Sequence, residues 1–196
     1  MSEPSGVQWC ARFPTSKSTA DLAPPFRDAV LAFLSQLGDS HANVSIQATL
    51  RPPQRAYLMH WAWGIARGLP KNMCRPGDVP NRPIDPATVG AMAGVDIDWT
   101  HGGDPVAAKA AAAKMVQTYG MAAAAALNGR HIEGHAIDMN ISWSGTLAIR
   151  DFNGQTHNIA STPRDGTNTE LNAVGKTFGV IKLLKIDPPH WSIDGR

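Results

Sequence analysis

Residues 129–140, GRHIEGHAIDMN, carry two histidines (His131, His135) and two carboxylates (Glu133, Asp138) among two glycines. The first half reads as a turn, because Gly129 and Gly134 accept backbone angles that other residues avoid. The second half alternates: Ala136, Asp138 and Asn140 share one face and Ile137, Met139 and Ile141 the other, the period of a half-buried strand. A turn running into a strand here makes the C-terminal third of the chain a sheet, and that decides the fold class.

Upstream, helices dominate. Pro24-Pro25 open a helix in which Phe26, Val30, Phe33, Leu34 and Leu37 recur at helical spacing, with Gly38 as its stop. VSIQATL, residues 44–50, alternates as a second strand and ends at Arg51. Pro52-Pro53 then lead a helix through Ala66, with Tyr57, His60, Trp61 and Ile65 on its face and Gly68 at its end. Residues 69–86 hold five prolines and read as a long surface loop. Asp104-Pro105 is an N-cap and N1 pair for an alanine-rich helix reaching about Tyr119, and a shorter alanine run occupies 121–126.

Downstream, residues 146–160 (TLAIRDFNGQTHNIA) read as a hairpin turning at Asp151–Gly154. Thr167–Glu170 cap a short helix that Gly179 ends, and Val180–Leu184 and His190–Ile193 close the chain as strands. Helices first and antiparallel strands later make the class α+β: a small antiparallel sheet carrying a zinc site, packed against N-terminal helices. The chain reads as a single domain, 1–196, with 69–104 as a Pro/Gly-rich insertion.

Zinc in a hydrolase takes about three protein ligands, mostly histidine nitrogens and carboxylates, and leaves a position for water. His131 precedes the strand and Asp138 lies on it, so a tight turn at Gly134 brings both to one ion. Residues 187–191, DPPHW, offer a third ligand, His190, at the start of the last strand; Asp187, three residues earlier, stands where it can take a proton from water. Other candidates read as structural. His60 sits on an aromatic helix face, His101 lies in a loop, His157 falls in the hairpin, and Glu133, Asp194 and Arg196 read as surface charges. His135 points away from the Ala136–Asp138 face. HIEGH is not H-E-x-x-H, because its glutamate is one place late. A zinc deaminase would need P-C-x-x-C after its H-x-E, and no cysteine follows Cys74.

On these residues a resemblance emerges. HIEGHAID resembles the H-x-x-G-x-A-x-D signature of the zinc D-alanyl-D-alanine carboxypeptidase and L-alanyl-D-glutamate endopeptidase family. IDPPHW resembles its second signature, in the D-x-P-H-aromatic form of the phage-endolysin branch, and ATLRPPQR is similar to the family's strand-end Y-R-S segment. The matches run in the family's order from about residue 48 to 193. The resemblance implies Zn2+ held by His131, Asp138 and His190, Asp187 as general base, and Arg51 binding substrate. It implies peptidoglycan peptides as partners and hydrolysis of a stem-peptide or cross-link bond. Related folds that keep the metal and lose hydrolysis supply the alternative, a non-catalytic metal-containing cell-wall or protein-binding module. Gly129 stands where the family has Ser or Thr, Leu50 replaces the aromatic before the arginine, and 69–104 matches no part of the family pattern.

Composition excludes other classes. With 43% hydrophobic and 17% charged residues the chain is globular. A net charge of +2 without a basic run argues against nucleic acid but suits approach to an anionic wall. Cys10 and Cys74, far apart, read as two unpaired thiols, with pairing left open. The N-terminus has no basic-then-apolar leader and no long apolar span, so membrane insertion is not expected. The chain is expected to be made in the cytoplasm and to act in the periplasm or cell wall after release or delivery. Release through a lesion fits an endolysin; delivery by secretion machinery fits an antibacterial effector, which would have an immunity protein as a further partner.

Overall fold

The computed structural model describes residues 2–183 and 187–196. Its elements in chain order are β1 (Glu3–Pro4), α1 (Phe26–Asp39), β2 (Asn43–Ala48), α2 (Pro53–Arg67), β3 (Ile97–Asp98), α3 (Pro105–Thr118), β4 (Ala136–Ser142), β5 (Leu147–Arg150), β6 (Thr156–Ile159), α4 (Thr169–Thr177) and β7 (His190–Ser192), joined by turns and short 3-10 segments. The class is α+β. Among the described residues no helix is long and apolar enough to cross a membrane. The chain divides into two compact units, 1–14 with 52–128 and 15–51 with 129–196.

The first unit is built on α2 and α3. Asp104 caps α3 by accepting from the backbone N–H groups of Val106 and Ala107, and Pro105 follows at the first helical position, where its missing N–H costs nothing. Ala108 and Ala112 are fully buried, so α3 packs close to its neighbours. Trp9, Tyr57, Trp61 and Trp99 fill the core, where the Tyr57 hydroxyl accepts from Trp99 Nε1 at 3.1 Å and donates to the Gly90 carbonyl at 2.8 Å. His60 is a core histidine, as its helix face suggests. It lies 2.8 Å from the Ala125 carbonyl through Nδ1, and burial lowers its pKa. His101 is bonded to the Ser5 hydroxyl at 2.9 Å. The alanine run at 121–126 is irregular rather than helical. Cys10 and Cys74 are both free thiols.

The second unit is a three-stranded antiparallel sheet, in the order β2-β4-β7, with α1 packed on it. Phe26, Val30, Phe33 and Leu37 of α1 are all at most 1% exposed and join Ile137, Met139 and Ile141 of β4 in one core. The strand therefore buries its apolar face on α1 and turns Asp138 and Asn140 the other way. The β5–β6 hairpin forms as its sequence suggests, and the Asn168 side chain caps α4 by accepting from Glu170 and Leu171.

The segment 180–184, expected as a strand, differs. Ile181 makes a single bridge to Ser192, and Lys182 turns inward. Leu184 lies outside the described residues. The Lys182 ammonium donates to the main-chain oxygens of Asp187, Pro188 and His190 at 2.9, 2.6 and 3.1 Å. A lysine that spans three carbonyls holds a turn, and a regular ladder does not follow.

Candidate metal centre

Sheet register assembles the site. β4 pairs antiparallel with β7 so that Asp138 stands opposite His190. Opposed residues in such a pair have side chains within about 5.5 Å of one another. β2 flanks β4 on its other side, and its register slips between Ile46 and Ala48, where two residues advance against one. Past that bulge the chain bends, as bulged strands do, and the Thr49 carbonyl accepts a hydrogen bond of 2.8 Å from His131 Nδ1. Thr49 is itself fixed, because its backbone N–H and its hydroxyl donate to the carbonyls of Ser16 and Ser18.

His131 arrives on the turn of residues 129–135. Gly134 has φ of 72°, its carbonyl accepts from Ala23 N, and a Cβ there would lie 2.9 Å from that same nitrogen. Both conformation and space therefore demand glycine. Gly134→Ala is expected to cost about 2 kcal/mol, which lowers the unfolding temperature by about 4–8 °C in a chain of this size. An unchanged thermal transition in the metal-free variant would refute that role.

Three candidate ligand atoms converge. His131 Nε2 lies 3.0 Å from Asp138 Oδ1, His190 Nδ1 lies 3.2 Å from the same oxygen, and the two nitrogens are 3.2 Å apart. This is the one such group among the described residues. Both imidazoles are buried. Each has its outer nitrogen on a main-chain oxygen, His131 Nδ1 on Thr49 and His190 Nε2 on Arg196 at 3.0 Å. A carbonyl only accepts, so the outer nitrogens carry the hydrogens, and in the neutral rings both inner nitrogens present lone pairs. Two lone pairs and a carboxylate facing one another could hold a cation between them. Tetrahedral coordination with bonds of 2.0–2.1 Å separates ligand atoms by about 3.3 Å, close to the spacing here. A divalent ion fits this donor set.

The electrostatics agree. Burial pushes the Asp138 carboxyl up, but its hydrogen bonds with His131 and His190 and their charges outweigh this and hold it well below the usual carboxylate range. Burial also opposes charge on His190. The hydrogen bonds to Asp138 and Arg196, with the charges of Asp138 and Asp187, outweigh it and raise its pKa. The pocket favours positive charge.

The other expected residues lie around this triangle. The Asp187 side chain is exposed, and its charge reaches His190. The backbone N–H of Arg51 donates to the His131 carbonyl at 3.0 Å, which sets Arg51 beside the first ligand's turn. Glu133 pairs with Arg130 at 2.6 Å and is also 3.5 Å from His135 Nδ1, so both Glu133 and His135 belong to the turn's outer surface. His157 pairs with Asp151 in the hairpin, apart from the cluster. Sequence reasoning missed Lys182, one of two lysines in the otherwise apolar run 180–186. It also missed the ion pair of Arg130 with Asp194, 64 residues away. Compared with family models, with curated proteins and with solved structures, the chain finds no match.

Proposed function

We propose that the chain is a zinc-dependent peptidase that hydrolyses a peptide bond in the stem peptide or cross-link of peptidoglycan. The observation that carries this reading is the convergence of His131, Asp138 and His190 with both imidazole lone pairs turned inward. Two imidazoles and one carboxylate suit zinc and leave room for water. The segments that supply them resemble the signatures of the carboxypeptidase and endopeptidase family named above. A bound zinc ion supplies Lewis-acid chemistry there, polarising a scissile carbonyl and making water a stronger acid.

The chain's own residues do the rest. Thr49 and Arg196 orient the imidazoles through their main-chain oxygens. Asp187, exposed beside His190, accepts the proton of the attacking water. Arg51 offers charge-assisted hydrogen bonds to a substrate carboxylate or carbonyl oxygen. The protein acts at the cell wall after release from the cell or delivery into it, and the mild positive charge favours that anionic surface.

Digestion of purified peptidoglycan with the chain, with and without chelator, followed by mass spectrometry of the fragments, tests this. New peptide termini that vanish with chelator and return with zinc are the expected result. Metal binding without any cleavage would instead make the chain a non-catalytic metal-containing wall-binding module.

A further inference from the structure

Arg130 is the residue before His131, and its guanidinium reaches a carboxylate 64 residues further along the chain. Nε and Nη2 both donate to Asp194 Oδ2, at 3.2 and 2.6 Å, and Nη1 donates to Glu133 Oε2 at 2.6 Å. Asp194 continues the chain of contacts through its second oxygen, which accepts from the Arg196 backbone N–H at 3.2 Å and from the Ser192 hydroxyl at 3.3 Å. The Arg196 main-chain oxygen in turn lies 3.0 Å from Ser192 Oγ and 3.0 Å from His190 Nε2. The path therefore runs from the turn that carries one ligand, through a carboxylate and one backbone residue, to the outer nitrogen of another ligand. A backbone bond from Ile193 N–H to the His135 carbonyl, 3.0 Å, ties the same two segments.

We propose that Arg130 and Asp194 are positioning residues of the metal centre: their ion pair holds the Arg196 main-chain oxygen on His190 Nε2 and so keeps His190 Nδ1 as the ion-binding nitrogen. This rests on the metal reading above. The physical reason is that an imidazole binds an ion only through its unprotonated nitrogen. A partner that accepts a hydrogen bond at the other nitrogen selects that tautomer, fixes the ring's rotation and makes the ligand more basic. Arg196 is exposed, and the Asp194 carboxylate on its backbone N–H, with the Ser192 hydroxyl on its oxygen, fixes its place. Arg130 anchors Asp194 in turn and holds its carboxyl at about 2, mainly through their hydrogen bond.

The test uses the full chain and two probe ions, cobalt for its visible spectrum and zinc for affinity by competition with a chelator. Asp194→Asn keeps the acceptor oxygen but gives up the charge that Arg130 grips; Arg130→Gln gives up the other side. Each is expected to weaken zinc binding by about 10–100-fold, the range for outer partners of metal ligands. The cobalt bands should shift or broaden as His190 loses its fixed orientation. Arg130→Lys keeps charge without the fork and is expected to recover part of the affinity. Combining Asp194→Asn with Arg130→Gln should add little beyond the weaker single variant, since both act on one path. Arg12→Gln, which opens the exposed Arg12–Glu3 pair of the other unit, should change nothing.

Unaltered affinity and spectra in both single variants would overturn the positioning role and leave the metal reading standing. A parent chain that binds neither cobalt nor zinc would remove both. If Asp194→Asn does not fold, Arg130→Gln and Arg130→Lys decide between these outcomes, read beside their metal-free unfolding temperatures.

Discussion

His131→Ala is expected to abolish the thermal stabilisation that zinc would give the parent chain. Zinc at a thousandfold excess over its Kd stabilises a folded protein by about 4 kcal/mol, or about 8–16 °C for a chain of this length. His131 supplies one of three converging atoms, held by the Thr49 carbonyl so that its Nε2 lone pair faces inward. Without it a site of two atoms remains. The loss in affinity is expected to exceed the roughly 10–100-fold typical of outer partners. Asp138→Asn should act in the same direction, because the amide offers a neutral oxygen where the structure holds an ionised carboxylate. Calorimetric titration with zinc and thermal scans with and without the ion check both variants. A His131→Ala chain that binds zinc as tightly as the parent would mean that the triangle is a hydrogen-bonded cluster and not a metal centre.

On the proposed peptidase reading, Asp187→Ala is expected to leave zinc bound and to lower turnover on peptidoglycan by about a hundredfold or more, the usual contribution of a general base. The separation is expected because Asp187 lies outside the triangle: its side chain is exposed, while its main-chain oxygen is gripped by Lys182. The alanine variant keeps that backbone grip, so His190 stays in place. Parallel measurement of zinc affinity and of fragment release discriminates the two functions. Equal turnover would remove the base role; a joint loss of metal and turnover would assign Asp187 to holding the centre instead.

Much of the second unit is legible because its signals are periodic. Phe26, Val30, Phe33 and Leu37 mark a helix face, and the alternation from Ala136 to Ile141 marks a strand whose polar face carries Asp138. Gly134 is legible too, since a left-handed turn between two polar clusters calls for glycine. What is not legible depends on distant pairs. Nothing local says that β2 slips register at Ile46, or that the Thr49 carbonyl then meets His131. Lys182 hides in a run that reads as strand because a buried lysine has no periodic signature, and its partners are main-chain oxygens five to eight residues further along, which any residue type supplies. Arg130 and Asp194 look like ordinary surface charges for the same reason. The two compact units leave no step in composition, because each is assembled from two separate stretches of chain.

The polypeptide leaves the metal-bearing unit at Arg51 and re-enters it at Gly129, and Arg51 is hydrogen-bonded to His131. Departure and return thus lie at the same place, closed by one bond at the rim of the ligand cluster. Closing a flexible loop costs only about 0.6 kcal/mol more for each doubling of its length. Lengthening or shortening the excursion between those points therefore changes the closure entropy little, while His131, Asp138 and His190 keep their places. Variation in that excursion is thus uncoupled from the register that brings His131, Asp138 and His190 together.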